Sequence, residues 1–240
     1  MTLNIGDTAP DFTADTSKGK IHLHDWIGSD WVFFFSHPGD FTPVCTTEVG
    51  RTAQLADAFA KRHVKPLGLS TDSVAEHLKW IAEVNDTQHT AVTFPIVADP
   101  DCTVARLYGM IQPHESETAA VRTVFIIDPD KKIRLTMTYP MYVGRNFDEI
   151  LRAIDALQTA DAEHIATPAD WVPGGVVIIP NSIKTPEAEK LFPQGWTEVR
   201  PYLRTTTRLC CTNPMRDSSR ESSVVAGAHE QTHTPHVQDP

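Results

Sequence analysis

The amino-acid sequence predicts an α/β fold in which helices cover both faces of a central sheet. Two observations lead to this prediction. Short apolar runs, among them WVFFFS at 31–36 and VRTVFIID at 121–128, alternate along the chain with segments of helical periodicity. The runs are almost continuously apolar, which is typical of strands that are buried on both faces.

Five strands and three helices are expected in the first 160 residues. The second helix begins at a capping box, in which Ser73 is followed three residues later by Glu76. The strands are the runs at 31–36, 65–70, 94–98, 121–128 and 133–139, and the helices are expected at 44–61, from 73 onward and at about 146–157. Helical periodicity places these residues on the buried faces of the first two helices: Val49, Ala53, Ala56, Ala60, Val74, Leu78, Ile81 and Val84.

The composition and the pattern of the sequence change after about residue 160. Several prolines follow, with an apolar strand at 174–180, a short helix at 185–191 and a strand at about 198–206. We therefore expect one domain over residues 1–160 and a small C-terminal α+β domain over 161–208. Residues 209–240 are polar and show no periodicity, which predicts a disordered tail.

The composition excludes several classes of function. The chain has 240 residues, with 21 Lys and Arg against 31 Asp and Glu, for a formal net charge of −10. Nucleic-acid binding needs clustered basic residues, so we expect no nucleic-acid partner. The N-terminus lacks the pattern of a secretory signal, and the apolar runs are too short to span a bilayer, so no membrane partner is expected. The four cysteines, Cys45, Cys102, Cys210 and Cys211, match neither a zinc site nor a secreted disulfide framework, which favours a cytoplasmic location.

One cysteine lies where a thiol would be activated. A free thiol has a pKa of about 8.5 and is mostly protonated at neutral pH, so it needs a stabilised anion to act as a nucleophile. Cys45 falls in the first turn of a predicted helix, where unpaired N–H groups favour negative charge. Thr42 lies three residues earlier, with a hydroxyl that could donate to the sulfur or to a bound oxygen. Pro38 and Pro43 would stiffen the loop that leads to this helix.

A basic residue lies inside an apolar strand. Arg122 is part of AAVRTVFIID, where a buried guanidinium is costly unless it meets an anion. Two interpretations follow from this pattern. Arg122 either pairs with a buried Asp or Glu, or it points at the Cys45 thiolate.

The stretch SHPGDFTPVCTTE at 36–48 resembles the active-site loop of the peroxiredoxins. Pro38, Thr42 and Cys45 match the family motif P-x-x-x-T-x-x-C, and Arg122 matches the family's active-site arginine. GRNFDE at 144–149, together with DWVPGGVVIIP and YLRTT near the C-terminus, is similar to the 1-Cys subgroup. The resemblance covers roughly residues 4–208.

The resemblance implies a thioredoxin-like fold, with a central mixed sheet flanked by helices, and a thiol peroxidase that needs no metal or organic cofactor. Cys45 would attack a hydroperoxide and become a sulfenic acid, while Thr42 and Arg122 hold the oxygens. By family position Arg145 and His37 line the pocket, although a structural His37 bonded to backbone is an equal alternative. The resemblance also implies a homodimer, with residues 161–208 contributing to the contact.

The route that regenerates Cys45 stays open at this point. An external thiol, glutathione or a thioredoxin-like protein, is one candidate reductant, and Cys210 or Cys211 is a candidate resolving cysteine. Cys102 is expected to have no role. A redox-switched chaperone is the alternative function, since some peroxiredoxins hold unfolded proteins, but no motif in this sequence specifies it.

Overall fold

In a computed structural model of the chain, which describes residues 3–207, a seven-stranded sheet forms the centre of the fold. Its strand order is β2-β1-β5-β4-β3-β6-β7, and a second sheet has the order β8-β10-β9. The strands are β1 (Thr13–Thr16), β2 (Gly19–His22), β3 (Trp31–Ser36), β4 (Val64–Ser70), β5 (Ile96–Ala98), β6 (Arg122–Ile127), β7 (Ile133–Tyr139), β8 (Val177–Ile179), β9 (Thr197–Arg200) and β10 (Leu203–Thr206). The helices are α1 (Leu23–Ile27), α2 (Pro43–Gln54), α3 (Ala56–Ala60), α4 (Val74–Thr87), α5 (Thr103–Leu107), α6 (Phe147–Glu163) and α7 (Thr185–Leu191).

The central sheet is mixed, as predicted. β3, β4 and β5 are mutually parallel, while β6 and β7 continue the sheet antiparallel on one side and β1 and β2 on the other. The five strands expected in the first 160 residues are all present, with small changes at their ends. The run at 94–98 shortens to β5 because Pro95 has no N–H to donate to a ladder.

Two hydrophobic clusters pack on opposite faces of this sheet. Alternation along β3 sends Val32 and Phe34 into one cluster and Phe33 and Phe35 into the other. Cys45 of α2 belongs to the second cluster. The helical cover on both faces that the sequence predicts is therefore present, and β3 runs through the middle of the core.

Two of the buried helix faces differ from the prediction. The helix expected at 44–61 breaks at Leu55 into α2 and α3, which turns Phe59 inward and leaves Ala60 exposed. Phe59 stacks on Phe33 at 5.3 Å between ring centroids, so the phenyl ring takes the buried position. In α4 the residue Leu78 is 54% exposed, and His77 is buried in its place.

A third cluster lies beyond the central sheet. It contains Ile165, Trp171 and Phe192, and Ala156 and Ala160 of α6 pack against it. These contacts extend α6 to Glu163, past the end expected at 157. The strand expected at 198–206 is a hairpin of β9 and β10, because a turn at 201–202 separates them and Pro201 cannot donate to the ladder.

The division at residue 160 stays a prediction, and the predicted tail at 209–240 lies outside the described residues. No helix within residues 3–207 is both long enough and apolar enough to cross a membrane.

Candidate active site

The candidate active site lies where β3 gives way to α2. The chain leaves β3 at Ser36, runs through a six-residue loop over 37–42 and enters α2 at Pro43. Cys45 is therefore the third residue of the helix, and its side chain is fully buried. The N–H groups of a first helical turn have no partner within the helix, so they can stabilise an anionic sulfur or a bound oxygen.

Arg122 meets both of the groups that the sequence left as alternatives. Its Nη1 lies 3.4 Å from the Cys45 sulfur and 2.7 Å from Oε2 of Glu48. Its Nε donates to the carbonyl oxygen of Met141 at 2.9 Å. The guanidinium thus reaches the thiol from the neighbouring strand β6 while a carboxylate holds it in place.

Glu48 is a site residue that the sequence reasoning missed. It is buried one helical turn after Cys45, so both side chains lie on the same face of α2. Besides Arg122, it accepts from the backbone N of Arg145 at 2.8 Å, from Nε at 2.9 Å and from Nη2 at 2.5 Å. Burial raises the pKa of the Glu48 carboxyl, but Arg145 and then Arg122 outweigh it and hold that pKa below its usual value. Glu48 could have been found from its position three residues after Cys45, which places both side chains on one face of the predicted helix.

The charges of this cluster favour an anion at the sulfur. Two guanidinium groups share one carboxylate, which leaves one positive charge without a partner carboxylate in the cluster. Arg145 itself makes no hydrogen bond to Cys45; it also donates to the Ser36 carbonyl at 3.0 Å, and its guanidinium lies 5.0 Å over the Phe35 ring. Arg145 therefore acts on the thiol through Glu48.

Thr42 presents an acceptor to the site. It is the N-cap residue of α2, yet its side chain makes no capping hydrogen bond. Its Oγ1 lies 2.8 Å from the carbonyl oxygen of Gly39, which can only accept, so the hydroxyl proton is used there. The expectation that Thr42 donates to the sulfur or to a bound oxygen is therefore wrong for this geometry. The remaining lone pairs suit the O–H of a hydroperoxide.

His37 and Pro38 begin the loop. Pro38 is partly buried, whereas His37 is fully buried and lies behind the loop. Nε2 of His37 lies 3.0 Å from Oδ1 of Asp40, and its ring packs on Trp80 at 5.2 Å. Burial is the main cause that lowers the pKa of His37, against the hydrogen bond to Asp40, which raises it. The ring is thus a neutral group that donates from Nε2.

A groove opens beside this loop. It has a volume of about 430 Å³ and is lined by Phe41, Thr42, Pro43, Thr46 and Trp80, with further residues of α2 and α4. His37 is not part of its wall. The only group of potential metal-ligating side chains in the described part of the chain is His37, Asp40 and Asp72, whose ligand atoms lie within 4.8 Å of one another. A hydrogen bond joins His37 to Asp40, and the Ser70 hydroxyl lies within hydrogen-bond distance of both Asp40 and Asp72.

Cys102 lies in the hydrophobic cluster on the opposite face of the central sheet from Cys45. Its sulfur lies 3.5 Å from the carbonyl oxygen of Thr118. A disulfide between the two would require the sheet to open, since bridged Cα atoms lie within about 7 Å. Cys210 and Cys211 lie outside the described residues.

Comparison with known proteins covers both parts of the chain. The AhpC/TSA family matches residues 5–136, and the C-terminal domain of 1-Cys peroxiredoxin matches residues 156–195. The chain is 49% identical over 204 residues to a 1-Cys peroxiredoxin of Dictyostelium discoideum, covering 85% of each chain. It is 47% identical over 217 residues to peroxiredoxin-6 of Gallus gallus, covering 85% of this chain and 97% of the relative.

Two solved structures share the fold. A yeast mitochondrial 1-Cys peroxiredoxin superposes with a TM-score of 0.82 at 47% identity, over 86% of this chain and all of the other. A cysteine-to-serine mutant of peroxiredoxin 6 from Arenicola marina superposes with a TM-score of 0.81 at 42% identity, over 87% and 99% of the two chains. With a thiol, two arginines and a threonine brought together at the start of α2, the chain belongs to the AhpC/TSA family of peroxiredoxins and carries the 1-Cys type of C-terminal domain.

Proposed function

We propose that Cys45 is the thiol with which this peroxidase reduces hydrogen peroxide and organic hydroperoxides. One observation carries the assignment: among the described residues, Cys45 is the cysteine that combines a helix N-terminus with a guanidinium 3.4 Å from its sulfur. Among the described residues, the sulfur of Cys102 contacts the carbonyl oxygen of Thr118 and no guanidinium donates to it, and Cys102 precedes α5 as a left-handed N-cap.

The chemistry follows from these contacts. The Cys45 thiolate attacks one peroxide oxygen, an S–O bond forms, the O–O bond breaks, and the other oxygen leaves as water or alcohol after taking up a proton. Sulfur loses two electrons to the peroxide and becomes a sulfenic acid. Arg122 and the first N–H groups of α2 stabilise the charge on the separating oxygens, and Thr42 accepts the peroxide O–H. Glu48 and Arg145 hold Arg122 in position.

A second thiol must return the sulfenic acid to Cys45. It condenses with the sulfenic acid to a mixed disulfide and releases water, and a further thiol then releases reduced Cys45. We assign this step to an external donor, glutathione or a thioredoxin-like protein. The position of Cys102 across the sheet supports this assignment, and the yeast structure concerns thiol resolution through the glutathione and thioredoxin systems.

The experiment measures peroxide consumption with a small thiol or glutathione as donor. The parent protein and a Cys210→Ser/Cys211→Ser variant should turn over at the same rate, while Cys45→Ser should be inactive. Turnover that depends on Cys210 or Cys211, together with a Cys45–Cys210 or Cys45–Cys211 link in peptide maps, would assign resolution to the C-terminal pair.

We also propose a cytoplasmic homodimer. Exposed apolar residues in the C-terminal part, Val172, Val176, Val199 and Tyr202, support a subunit contact there. Light scattering should give the mass of a dimer, and Val199→Glu/Tyr202→Glu should shift it toward a monomer.

Free thiols at Cys45 and Cys102 suit a reducing compartment, and cell fractionation tests the location.

A further inference from the structure

A buried carboxylate holds the loop in front of Cys45. The side chain of Asp40 is fully buried, with Oδ1 3.0 Å from Nε2 of His37 and Oδ2 2.6 Å from Nδ1 of His77. Its backbone N donates to Asp72 at 2.8 Å. Burial raises the pKa of Asp40, but the hydrogen bonds from His37 and His77 prevail and hold that pKa below its usual value. Asp40 is thus an ionised acceptor that ties the loop to helix α4.

His77 is built into the same contact. Its Nε2 lies 3.2 Å from the carbonyl oxygen of Val97 on β5, which can only accept. The ring therefore bridges β5 and Asp40, with one nitrogen facing each. This use of His77 explains why α4 buries a histidine and leaves Leu78 in solvent. A packed helix and a central strand thereby fix the position of Asp40.

The residue that follows Asp40 has an unfavourable backbone conformation. Phe41 has φ 55°, in the left-handed region that aromatic residues seldom adopt. Phe41 is 50% exposed, so packing of its side chain only partly holds this conformation. Such strain persists where neighbouring contacts determine the backbone. Here the contacts of Asp40 fix the chain before Phe41. The chain after Phe41 is fixed by Thr42, which bonds to Gly39 and is the N-cap residue of α2.

We propose that Asp40 is a positioning residue for the peroxidase reaction: with His77 it holds the Phe41 turn in its left-handed conformation and so aims the Thr42 hydroxyl and the N-terminus of α2 at the peroxide. The inference rests on the proposed role of Cys45. Asp40 does not touch the sulfur and acts through the backbone of the loop. Its loss should therefore impair reaction with a peroxide, which must be oriented, more than reaction with an alkylating agent, which needs only the thiolate.

The test compares two second-order rate constants of Cys45, one with hydrogen peroxide and one with iodoacetamide. Asp40→Asn should lower the peroxide rate by about 10²-fold, the effect of a misplacement of about 1 Å, and change alkylation by less than about threefold. His77→Asn, which keeps a donor near the position of Nδ1, should stay close to the parent protein, whereas His77→Leu should match Asp40→Asn. Circular dichroism and thermal unfolding show which variants fold.

A second substitution tests the role of the strain. Glycine adopts positive φ without steric cost, so Phe41→Gly in the Asp40→Asn protein should recover at least about tenfold of the lost peroxide rate. The proposal is overturned if Asp40→Asn reacts like the parent protein, if both rates fall together, or if Phe41→Gly recovers nothing. If Asp40→Asn does not fold, the two His77 variants take its place. The proposal is then overturned if His77→Leu reacts with peroxide like His77→Asn, or if its peroxide and alkylation rates fall together. Failure of the parent protein itself to react with peroxide would instead refute the role of Cys45.

Discussion

Replacement of Arg122 by methionine tests the electrostatic part of the mechanism. Methionine retains much of the side-chain volume and removes the cation, while Arg145 still donates to both oxygens of Glu48, so the fold should survive. We expect the rate of Cys45 oxidation by peroxide to fall by about 10²–10³-fold, because Arg122 stabilises the thiolate and then the separating oxygens.

The magnitude follows from the geometry. At the observed 3.4 Å and an effective dielectric constant of about 20, a cation and a thiolate attract each other by roughly 5 kcal/mol. This value is an upper limit, because the same nitrogen also bonds Glu48 at 2.7 Å. The loss of one such donor in other enzymes costs about 2.7–4 kcal/mol, which corresponds to the expected fall in rate.

Stopped-flow oxidation with hydrogen peroxide and alkylation with iodoacetamide, both over a range of pH, measure the two effects separately. Alkylation reports only the availability of the thiolate, so it should fall less than peroxide reduction. Arg122→Lys is the matched control, since it keeps the charge but loses the forked geometry that serves Cys45, Glu48 and Met141 together. Unchanged peroxide and alkylation rates in Arg122→Met would show that Arg122 has only a structural role.

Three further predictions concern the thiols and the buried acids. Cys102→Ser should consume peroxide at the parent rate, since its sulfur lies across the sheet from Cys45, and a large loss of peroxide consumption would contradict the assignment. Glu48→Gln should lower the free energy of unfolding in urea by about 3–5 kcal/mol, because it leaves two buried guanidinium groups without a carboxylate. The folded-state pKa values of Glu48 and Asp40 lie below their usual values, so their stabilisation is complete above about pH 4.5 and is lost as the pH falls further. Thermal unfolding should show this acid loss, and a midpoint that is independent of pH below 4.5 would refute it.

Strong apolar runs made much of the central sheet predictable from the sequence. β3 and β6 are short and nearly continuous in apolar residues, which is typical of strands that are buried on both faces. The hairpin of β1 and β2 escaped prediction because its strands have four residues each and are largely polar. Its conformation depends on the pairing of β1 with β5, a contact between residues far apart in the sequence.

The site was predictable to the extent that local sequence determines it. The position of Cys45 at a helix start follows from the sequence between Pro43 and Glu48. Arg122 allowed two interpretations because a strand pattern shows that a cation is buried but not which anion it meets. The contact between Asp40 and His77 joins a loop to a distant helix, and no periodicity encodes it. The sequence assigned Leu78 to the buried face because leucine is more hydrophobic than its neighbour His77. Only the structure shows that buried Asp40 is a partner for His77.

The central claim is that the sulfur of Cys45 takes an oxygen atom from the peroxide. Intact-mass spectrometry after one equivalent of hydrogen peroxide, with dimedone present to trap a sulfenic acid and peptide mapping to locate it, tests this claim most directly. We expect a single dimedone adduct on Cys45 in the parent protein and none in Cys45→Ser. An adduct on Cys102, or oxidation that persists in Cys45→Ser at the parent rate, would contradict the account.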